Sequence, residues 1–343
     1  MQVRVIPLVL LTTAALAWQN VSVAAEQNTV TVDNFIRAES DTYFAKFAKE
    51  GGFGKFSHER QLAPIDKQSV IRMNRDTLYS FGVFDLDASP VTVTLPDSGK
   101  RYMALQVIDE DHYAPDVFYA PGTHTLTKES VGTRYVTLAI RTFVNPDDPA
   151  DIKAVHGLQD AIKVEQTATG KLELPQWDAV SLKKIREALL GVVAASGGID
   201  STRMFGSRQE VDPVQHLLGT AAGWGGNPRT AAMYTGVTPA RNDGKTAYQL
   251  TVKDVPVDGF WSVSVYNKQG FFQKNAKNAY TVNNVTAKRN ADNSVTIHFG
   301  GQDVNASNYI PITPGWNYLF RMYRPQQPIL DGSWKPVDAA PVN

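Results

Sequence analysis

The sequence predicts a mainly β protein with two antiparallel β-sandwich or jelly-roll-like domains and a helical middle segment. Hydrophobic residues alternate with a period of two in both outer parts of the chain, and turn-rich pieces separate the alternating runs. The period lengthens to that of a helix in between. Short strands with such turns favour antiparallel sheets over a parallel sheet, in which strands alternate with helices. The predicted order is a signal peptide at 1–25, an N-terminal β domain at 26–146, the helical segment at 147–239 and a C-terminal β-sandwich domain at 240–343.

The first residues have the layout of a secretory signal peptide. One cation, Arg4, precedes the apolar run "VIPLVLLTTAALAW", and the small residues Val23 and Ala25 suit a cleavage after Ala25. The apolar core is shorter than the roughly 20 residues that a spanning helix needs. The sequence therefore predicts a periplasmic or secreted protein without a transmembrane anchor after cleavage.

Composition excludes several classes of function. The 343 residues contain no cysteine, which excludes disulfides, thiolate catalysis and thiolate metal sites. The formal net charge is +0, so there is no broad basic surface for nucleic acid. No sequence motif for a cofactor is evident.

Strands are predicted throughout the N-terminal domain. "PVTVTL" alternates Val91, Val93 and Leu95 with threonines, and "RYMALQVID" resumes this period after the turn "PDSGK", which predicts a β-hairpin. "RYVTLAIRT" alternates again. Its apolar residues are expected on one face of a strand: Val136, Leu138 and Ile140.

Three helices are predicted in the middle segment. Asp148 and Asp212 each precede a proline, which is the pattern of an N-cap followed by proline at the first helical position. Between these two helices, "SLKKIREALLGVVAASGG" has helical spacing and stops at Gly197 and Gly198. The loop "GWGGN" around Trp224 is interpreted as a helix exit.

The C-terminal domain shows four alternating runs that predict strands. Their inward-facing residues are Tyr248, Leu250 and Val252; Trp261, Val263 and Val265; Val295, Ile297 and Phe299; and Trp316, Tyr318, Phe320 and Met322.

Two stretches resemble known domain families. "NRDTLYSFGVFDLDASPVTVTLPDSGKRYMALQVIDED" resembles the core of the bacterial domain of unknown function 1254. "DGFWSVSVYNKQGFF" and "YLFRMYRPQQPILDGSWKP" resemble its usual C-terminal companion, domain of unknown function 1214. The resemblance implies two β-sandwich-type domains in one chain and carries no assigned activity.

The segment Asn74, Arg75 and Asp76 directly precedes the predicted strand "TLYSFGVF". One interpretation is a structural clamp, in which Asp76 caps backbone amides and Arg75 forks onto a carboxylate or carbonyl groups. The other is a ligand site, because a planar guanidinium suits bidentate recognition of an anion. The clamp is predicted for Arg75 and Asp76, and Tyr79 is predicted to face a pocket.

A candidate metal site lies in "VIDEDHY". Asp109, Asp111 and His112 offer oxygen and imidazole ligands close together. Metal sites usually gather ligands from separate elements, so an acidic turn at a strand end is the favoured interpretation.

Aromatic residues on the predicted strands suggest a pocket between sheets, although core packing accounts for most aromatics in strands. The candidate ligand-binding residues are Asn74, Arg75, Asp76, Tyr79, Trp261, Tyr266, Asn267 and Arg321. The favoured hypothesis is a protein that binds or processes a small organic molecule in an interdomain pocket. The alternatives are a non-enzymatic envelope assembly or interaction protein and a metal-assisted hydrolase. Whether it is an enzyme and whether it forms a homo-oligomer stay open.

Overall fold

The computed structural model describes residues 27–68, 71–196 and 201–342. The α-helices are α1 (Phe35–Phe47), α2 (Lys128–Val131), α3 (Pro149–Asp160), α4 (Ala179–Ala195), α5 (Pro213–Gly223) and α6 (Gln327–Leu330), and short π-helical and 3-10 segments lie at Ala48–Gly52 and Ser201–Arg203. The strands are β1 (Ser57–His58), β2 (Thr77–Asp85), β3 (Val91–Leu95), β4 (Met103–Asp109), β5 (Val117–Tyr119), β6 (Gly122–Leu126), β7 (Tyr135–Phe143), β8 (Lys163–Gln166), β9 (Ala232–Val237), β10 (Tyr248–Val252), β11 (Trp261–Tyr266), β12 (Thr281–Asn283), β13 (Val295–Phe299), β14 (Tyr309–Ile310), β15 (Asn317–Tyr323) and β16 (Ala340–Pro341). The predicted signal peptide, with its cleavage after Ala25, lies outside the described residues.

The prediction of a mainly β protein is confirmed, since strands account for 27% of the described residues and helices for 22%. The N-terminal strands form a five-stranded sheet in the order β1-β2-β7-β4-β5 and a three-stranded sheet in the order β6-β3-β8. The C-terminal strands form two four-stranded sheets, β14-β13-β10-β16 and β12-β11-β15-β9. Neighbouring strands are antiparallel except for the short parallel pair of β13 and β14.

The three-stranded sheet packs against one face of the five-stranded sheet. Val91 and Val93 of β3 lie fully buried in one core with Val107 of β4 and Leu138 of β7. The alternation along β3 follows from this packing, because its intervening threonines point away from the core.

The predicted hairpin of β3 and β4 is wrong. β3 pairs with β6 and β8, whereas β4 pairs with β5 and β7. The chain between β3 and β4 therefore crosses from one sheet to the other. Alternation locates a strand and its buried face, but it does not specify which strand lies beside it.

The predicted starts of α3 and α5 are confirmed. The Asp148 carboxylate accepts a hydrogen bond from the Ala150 N–H, and Asp212 accepts from two N–H groups at the start of α5. The predicted helix between them is α4, which ends at Ala195, and its predicted stop at Gly197 and Gly198 lies outside the described residues. Helices α1, α4 and α5 share a core of their own.

Three elements depart from the predicted organisation. Helix α1 lies in the predicted N-terminal β domain, and β8 lies in the predicted helical segment. Strand β9 pairs with β15, so the C-terminal sheets begin before residue 240. Helix α1 lacks an apolar period because Glu39, Ser40 and Asp41 are buried beside its phenylalanines.

The four C-terminal strands predicted from alternation are confirmed as β10, β11, β13 and β15. Leu250 and Ile297 from one sheet share a core with Val263 and Phe320 from the other. The other face of the β12-β11-β15-β9 sheet turns toward the N-terminal sheets. Within the part of the chain that the structure describes, no helix is both long and apolar enough to cross a membrane.

Candidate ligand-binding cavity

A cavity of about 820 Å³ lies between the five-stranded sheet and the sheet that contains β9 and β15. Because successive side chains of a strand point to opposite faces, each strand contributes alternate residues to the cavity. Its N-terminal wall consists of Thr77, Tyr79 and Phe81 from β2 and of Ala139 and Arg141 from β7. The opposite face of the same sheet is covered by the N-terminal core.

The opposite wall comes from the C-terminal sheet. Every second residue of β15 lines it: Asn317, Leu319, Arg321 and Tyr323. Strand β9 adds Tyr234 and Gly236. The residues of β15 that the sequence predicted on one face point the other way, into the C-terminal core. The two sheets thus face each other across the cavity, and each presents the face that does not pack in its own domain core.

An aromatic wall, defined as Tyr43, Phe47, Tyr79, Phe81 and Trp224, closes part of the cavity. The rings of Tyr43 and Trp224 stack with their centroids 4.3 Å apart, and those of Phe47 and Phe81 stack at 4.2 Å. The Tyr79 ring continues this surface, 5.5 Å from Phe81. Stacked rings give the cavity a broad apolar surface that suits a planar group.

Arg141 is a buried cation on β7, with an exposed fraction of 8%. Its guanidinium donates hydrogen bonds to Gln106 Oε1 at 2.6 Å, Gly225 O at 2.7 Å and Asn227 Oδ1 at 3.2 Å. All three acceptors are uncharged, and no carboxylate of the described residues forms a salt bridge with Arg141. Burial lowers the pKa of Arg141, but Tyr79 and other nearby tyrosines raise it, and its net direction is upward. The group therefore remains charged.

Arg321 lies on the opposite wall and is 3% exposed. It donates to Ser264 Oγ at 2.9 Å, to the Tyr266 hydroxyl at 2.6 Å and to the Arg72 carbonyl at 2.8 Å. Arg72 lies at the rim, where its guanidinium donates to Asn317 Oδ1 at 2.9 Å. Burial and the charge of Arg321 lower the pKa of Arg72. Two guanidinium groups thus lie near each other on this side.

Two amide and phenol pairs complete the polar surface. Asn74 Nδ2 donates to the Tyr323 hydroxyl at 3.0 Å, and Asn227 Nδ2 donates to the Tyr234 hydroxyl at 2.8 Å. Burial raises the pKa of Tyr323 well above its ordinary value, so its phenol stays protonated. The cavity therefore combines an aromatic surface with neutral hydrogen-bonding groups and guanidinium cations.

Comparisons with known proteins identify two domain families in the chain. A model described as "Protein of unknown function (DUF1254)" matches residues 53–129, and one described as "Protein of unknown function (DUF1214)" matches residues 231–327. The chain carries both domains, in the predicted order. No curated protein matches the chain.

Two solved structures are similar to this chain, and the first of them supports the fold. The VPA0106 protein from Vibrio parahaemolyticus is similar over 91% of this chain and 98% of its own, with 19% sequence identity and a TM-score of 0.68. An uncharacterized protein from Burkholderia cenocepacia covers 86% of this chain and 84% of its own, with 15% identity and a TM-score of 0.49. At the identity of the Vibrio protein, the similarity extends to the fold alone.

Both domains contribute to the cavity. Tyr79 and Phe81 lie in the DUF1254 match, while Tyr234 and Arg321 lie in the DUF1214 match. Arg141 lies between the two matches, as does Trp224 in the loop after α5.

Asp76 lies in a domain seam, defined here as Asp76, Thr281 and Asn283, and does not line the cavity. It is fully buried, and its carboxylate accepts hydrogen bonds from Asn283 Nδ2 at 3.1 Å and Thr281 Oγ1 at 3.3 Å. Burial raises its pKa. Its backbone N–H donates to Asn74 Oδ1 at 2.8 Å. Asp76 thus bonds side chains of the other domain rather than capping backbone amides.

Arg75 also points away from the cavity. Among the described residues its guanidinium donates one hydrogen bond, to the Ala63 carbonyl, and its Cζ lies 5.4 Å from the centroid of the Tyr280 ring. The predicted paired hydrogen bonds are replaced by a single carbonyl and an aromatic face. Its contacts are those of a structural residue.

The remaining predicted residues divide between the cavity and the C-terminal domain. Asn74, Tyr79 and Arg321 line the cavity. Trp261 is packed edge-on against Phe320 in the C-terminal core. The Tyr266 hydroxyl donates to the Met73 carbonyl at 2.8 Å, beneath the cavity surface. Asn267 organises a turn, where its Oδ1 accepts from the N–H groups of Gln269 and Phe271.

The acidic turn at the end of β4 has no convergent ligand set. The Asp109 carboxylate accepts from the N–H groups of Asp111 at 2.9 Å and Tyr113 at 2.8 Å. Asp111 forms an ion pair with Arg37 at 2.6 Å. Burial raises the pKa of Asp109 to about 7. In residues 27–68, 71–196 and 201–342, no group of three or more histidine and acidic side chains is arranged to hold a metal ion.

His112 supports the cavity instead of a metal. Its Nε2 accepts a hydrogen bond from the Gly225 N–H at 2.7 Å, so its Nδ1 carries the proton and donates to Thr220 Oγ1 at 2.8 Å. Burial lowers its pKa well below the ordinary value, which agrees with a neutral ring. Because the Gly225 carbonyl binds Arg141, His112 helps to fix the loop that positions this guanidinium.

Sequence reasoning missed Arg72, Arg141 and Tyr234 as cavity residues. For Arg141 a signal exists: it falls on the non-core face of "RYVTLAIRT", where a buried strand carries Thr137 and Ala139. A cation on the second face of a strand whose first face is apolar indicates that another element covers it. The sequence does not specify which element this is.

Proposed function

We propose that the protein is exported and binds a small organic molecule in the cavity between its two domains. The observation that carries this proposal is the cavity itself, in which a continuous aromatic wall lies beside hydrogen-bonding groups from both domains. Its volume of about 820 Å³ is in the range of small-molecule sites, which combine apolar walls with a few polar groups.

The alternative functions have less support. A metal-assisted hydrolase at Asp109, Asp111 and His112 would require these side chains to converge, but each has a different partner. A protein that serves only envelope assembly would not need a cavity with this lining. Ligand binding accounts for the cavity directly, and no reaction is part of the proposal.

Native mass spectrometry of protein isolated from the cell envelope tests the proposal. We expect a bound small molecule in the parent protein and its loss in Gly236→Phe. Gly236 lines the cavity, and a Cβ there would meet only Leu319 Cδ1 at 3.8 Å, so a phenyl group would fill cavity space without strain at its base. The matched control is Gly157→Phe on α3, where a Cβ meets nothing within 4 Å.

The control should retain the molecule. If both variants release the same bound molecule, or if Gly236→Phe retains it, the cavity is not its site.

Export is tested on the same material by N-terminal sequencing. The sequence of the isolated protein should begin at Glu26. An intact Met1 would contradict export with cleavage.

A further inference from the structure

The charged side chains that line the cavity are mostly cationic. The cations are Lys46, Arg72, Arg141 and Arg321, and the one carboxylate in the described lining is Glu59. Burial raises the pKa of Glu59, which further disfavours its negative form. Asp76 lies outside the cavity lining, and its carboxylate already accepts a hydrogen bond from Asn283 in the domain seam. This excess of cationic side chains, two of them the buried Arg141 and Arg321, favours an anionic ligand over a cationic one.

Arg141 has hydrogen-bonding capacity left for a ligand. A guanidinium carries five N–H donors, and its outer nitrogens Nη1 and Nη2 make the three bonds to Gln106, Gly225 and Asn227. Its Nε makes no hydrogen bond to a described residue. Nε and Nη2 form one edge of the guanidinium fork, which matches the two oxygens of a carboxylate. The three protein bonds hold the fork in place before a ligand arrives.

The aromatic wall adjoins this guanidinium. The Cζ of Arg141 lies 5.4 Å from the centroid of the Tyr79 ring, and its acceptor Gly225 directly follows Trp224. Tyr79 and Trp224 both belong to the aromatic wall. A ligand that reaches the fork of Arg141 therefore has its remaining atoms beside stacked rings.

We infer that the ligand is an aromatic carboxylate, with its carboxylate bound by Arg141 and its ring against the aromatic wall. This inference rests on the proposed function and names the class of ligand. An uncharged ring would fill the apolar part but leave the cation without an anion. An ammonium would be repelled by the guanidinium groups.

Isothermal titration of the processed protein with three matched probes tests the inference. The probes are biphenylacetate, its uncharged amide biphenylacetamide and the cation biphenylethylammonium. Paired, charge-assisted hydrogen bonds from Arg141 should make biphenylacetate bind at least about ten-fold more tightly than biphenylacetamide. The ammonium should bind more weakly than the amide.

Variants assign the preference to Arg141. Arg141→Gln should reduce the affinity for biphenylacetate to that for the amide, while the affinity for the amide changes little. Arg241→Gln is the matched control, because it removes the same charge from an exposed residue outside the cavity lining. If Arg141→Gln does not fold, the three probes on the parent protein still decide the class of ligand.

Each negative result identifies which claim is wrong: the ligand class, the role of Arg141 or the cavity as a binding site. Equal affinity for biphenylacetate and biphenylacetamide would overturn the carboxylate inference and leave the proposed function intact. An equal loss of preference in Arg141→Gln and Arg241→Gln would overturn the role of Arg141. If none of the probes binds, an aromatic carboxylate is the wrong class, and the mass measurement on Gly236→Phe independently decides whether the cavity is a site.

Discussion

The domain seam and the cavity lie side by side between the same two domains, yet the hydrogen bonding of their charged side chains differs. In the seam, the Asp76 carboxylate is fully buried and receives hydrogen bonds from Asn283 and Thr281 across the interface. In the cavity, Arg141 is held by uncharged acceptors, and its Nε–H has no hydrogen-bond partner among the described residues. A polar group whose bonds are complete holds the fold together, whereas a fixed group with spare donors can hold a ligand.

Substitution of the seam carboxylate should have the largest effect on stability. Asp76→Ala leaves the buried Asn283 amide and the partly buried Thr281 hydroxyl without their acceptor, and it should lower the free energy of unfolding by about 1–3 kcal/mol for each unpaired donor. Urea denaturation measures this. Asp66→Ala is the control, since Asp66 has an exposed ion pair with Lys274 and should change stability by less than about 0.5 kcal/mol. Equal stability of the two variants would show that the seam does not join the domains.

Asp109 sharpens the comparison, because it is a buried carboxyl group outside the seam. Its pKa is raised from 3.8 to about 7, so its contribution to stability is fully present below pH 3.8 and is lost as the pH rises through about 7. Asp109→Asn retains an oxygen that accepts from the Asp111 and Tyr113 N–H groups. Because the amide does not ionise, the variant does not lose stability as the pH rises. The variant should therefore gain stability over the parent as pH rises, on the order of 3 kcal/mol near neutrality. Urea denaturation across this pH range would contradict the account if the difference stayed constant.

Substitutions of Arg75 and Tyr79 distinguish a residue that stabilises the fold from a residue that lines the cavity within a single segment. Arg75→Ala loses a charged hydrogen bond to the Ala63 carbonyl and should cost about 1.5–3 kcal/mol of unfolding free energy. Thermal melts and urea denaturation of the variant and the parent measure this. An Arg75→Ala protein as stable as the parent would rule out the clamp.

Tyr79→Phe should have the smallest effect on stability. The Tyr79 hydroxyl makes no hydrogen bond to a described residue and lines the cavity, so its removal should change the unfolding free energy by less than about 0.5 kcal/mol. The same denaturation experiments check this value. A loss as large as that of Arg75→Ala would place Tyr79 with the structural residues instead.

Much of the fold could be predicted from local patterns. Alternation located β10, β11, β13 and β15, because one face of each fills the C-terminal core, and Asp148 and Asp212 marked helix starts through their caps. Strand pairing could not be predicted, since β3 and β4 are near in sequence but belong to different sheets. Helix α1 escaped detection because part of its buried surface is polar.

The candidate site could be predicted only in part. Asn74, Tyr79 and Arg321 were named from their chemical type beside strands, and all three line the cavity. Arg75 and Asp76 belong to the same short segment, but the turn before β2 directs them elsewhere. Arg141 becomes a cavity residue only through the packing of a distant sheet opposite β7, which a single sequence does not encode locally.

The most direct test of the central claim is an NMR titration that observes the arginine Nε–H groups of the processed protein, assigned with Arg→Lys variants. On addition of biphenylacetate, the Nε–H resonance of Arg141 should shift as it gains an acceptor, while that of Arg75, which lies outside the cavity, should stay in place. A shift at Arg75 with none at Arg141 would contradict the account, because ligand binding would then occur at the segment assigned to structure.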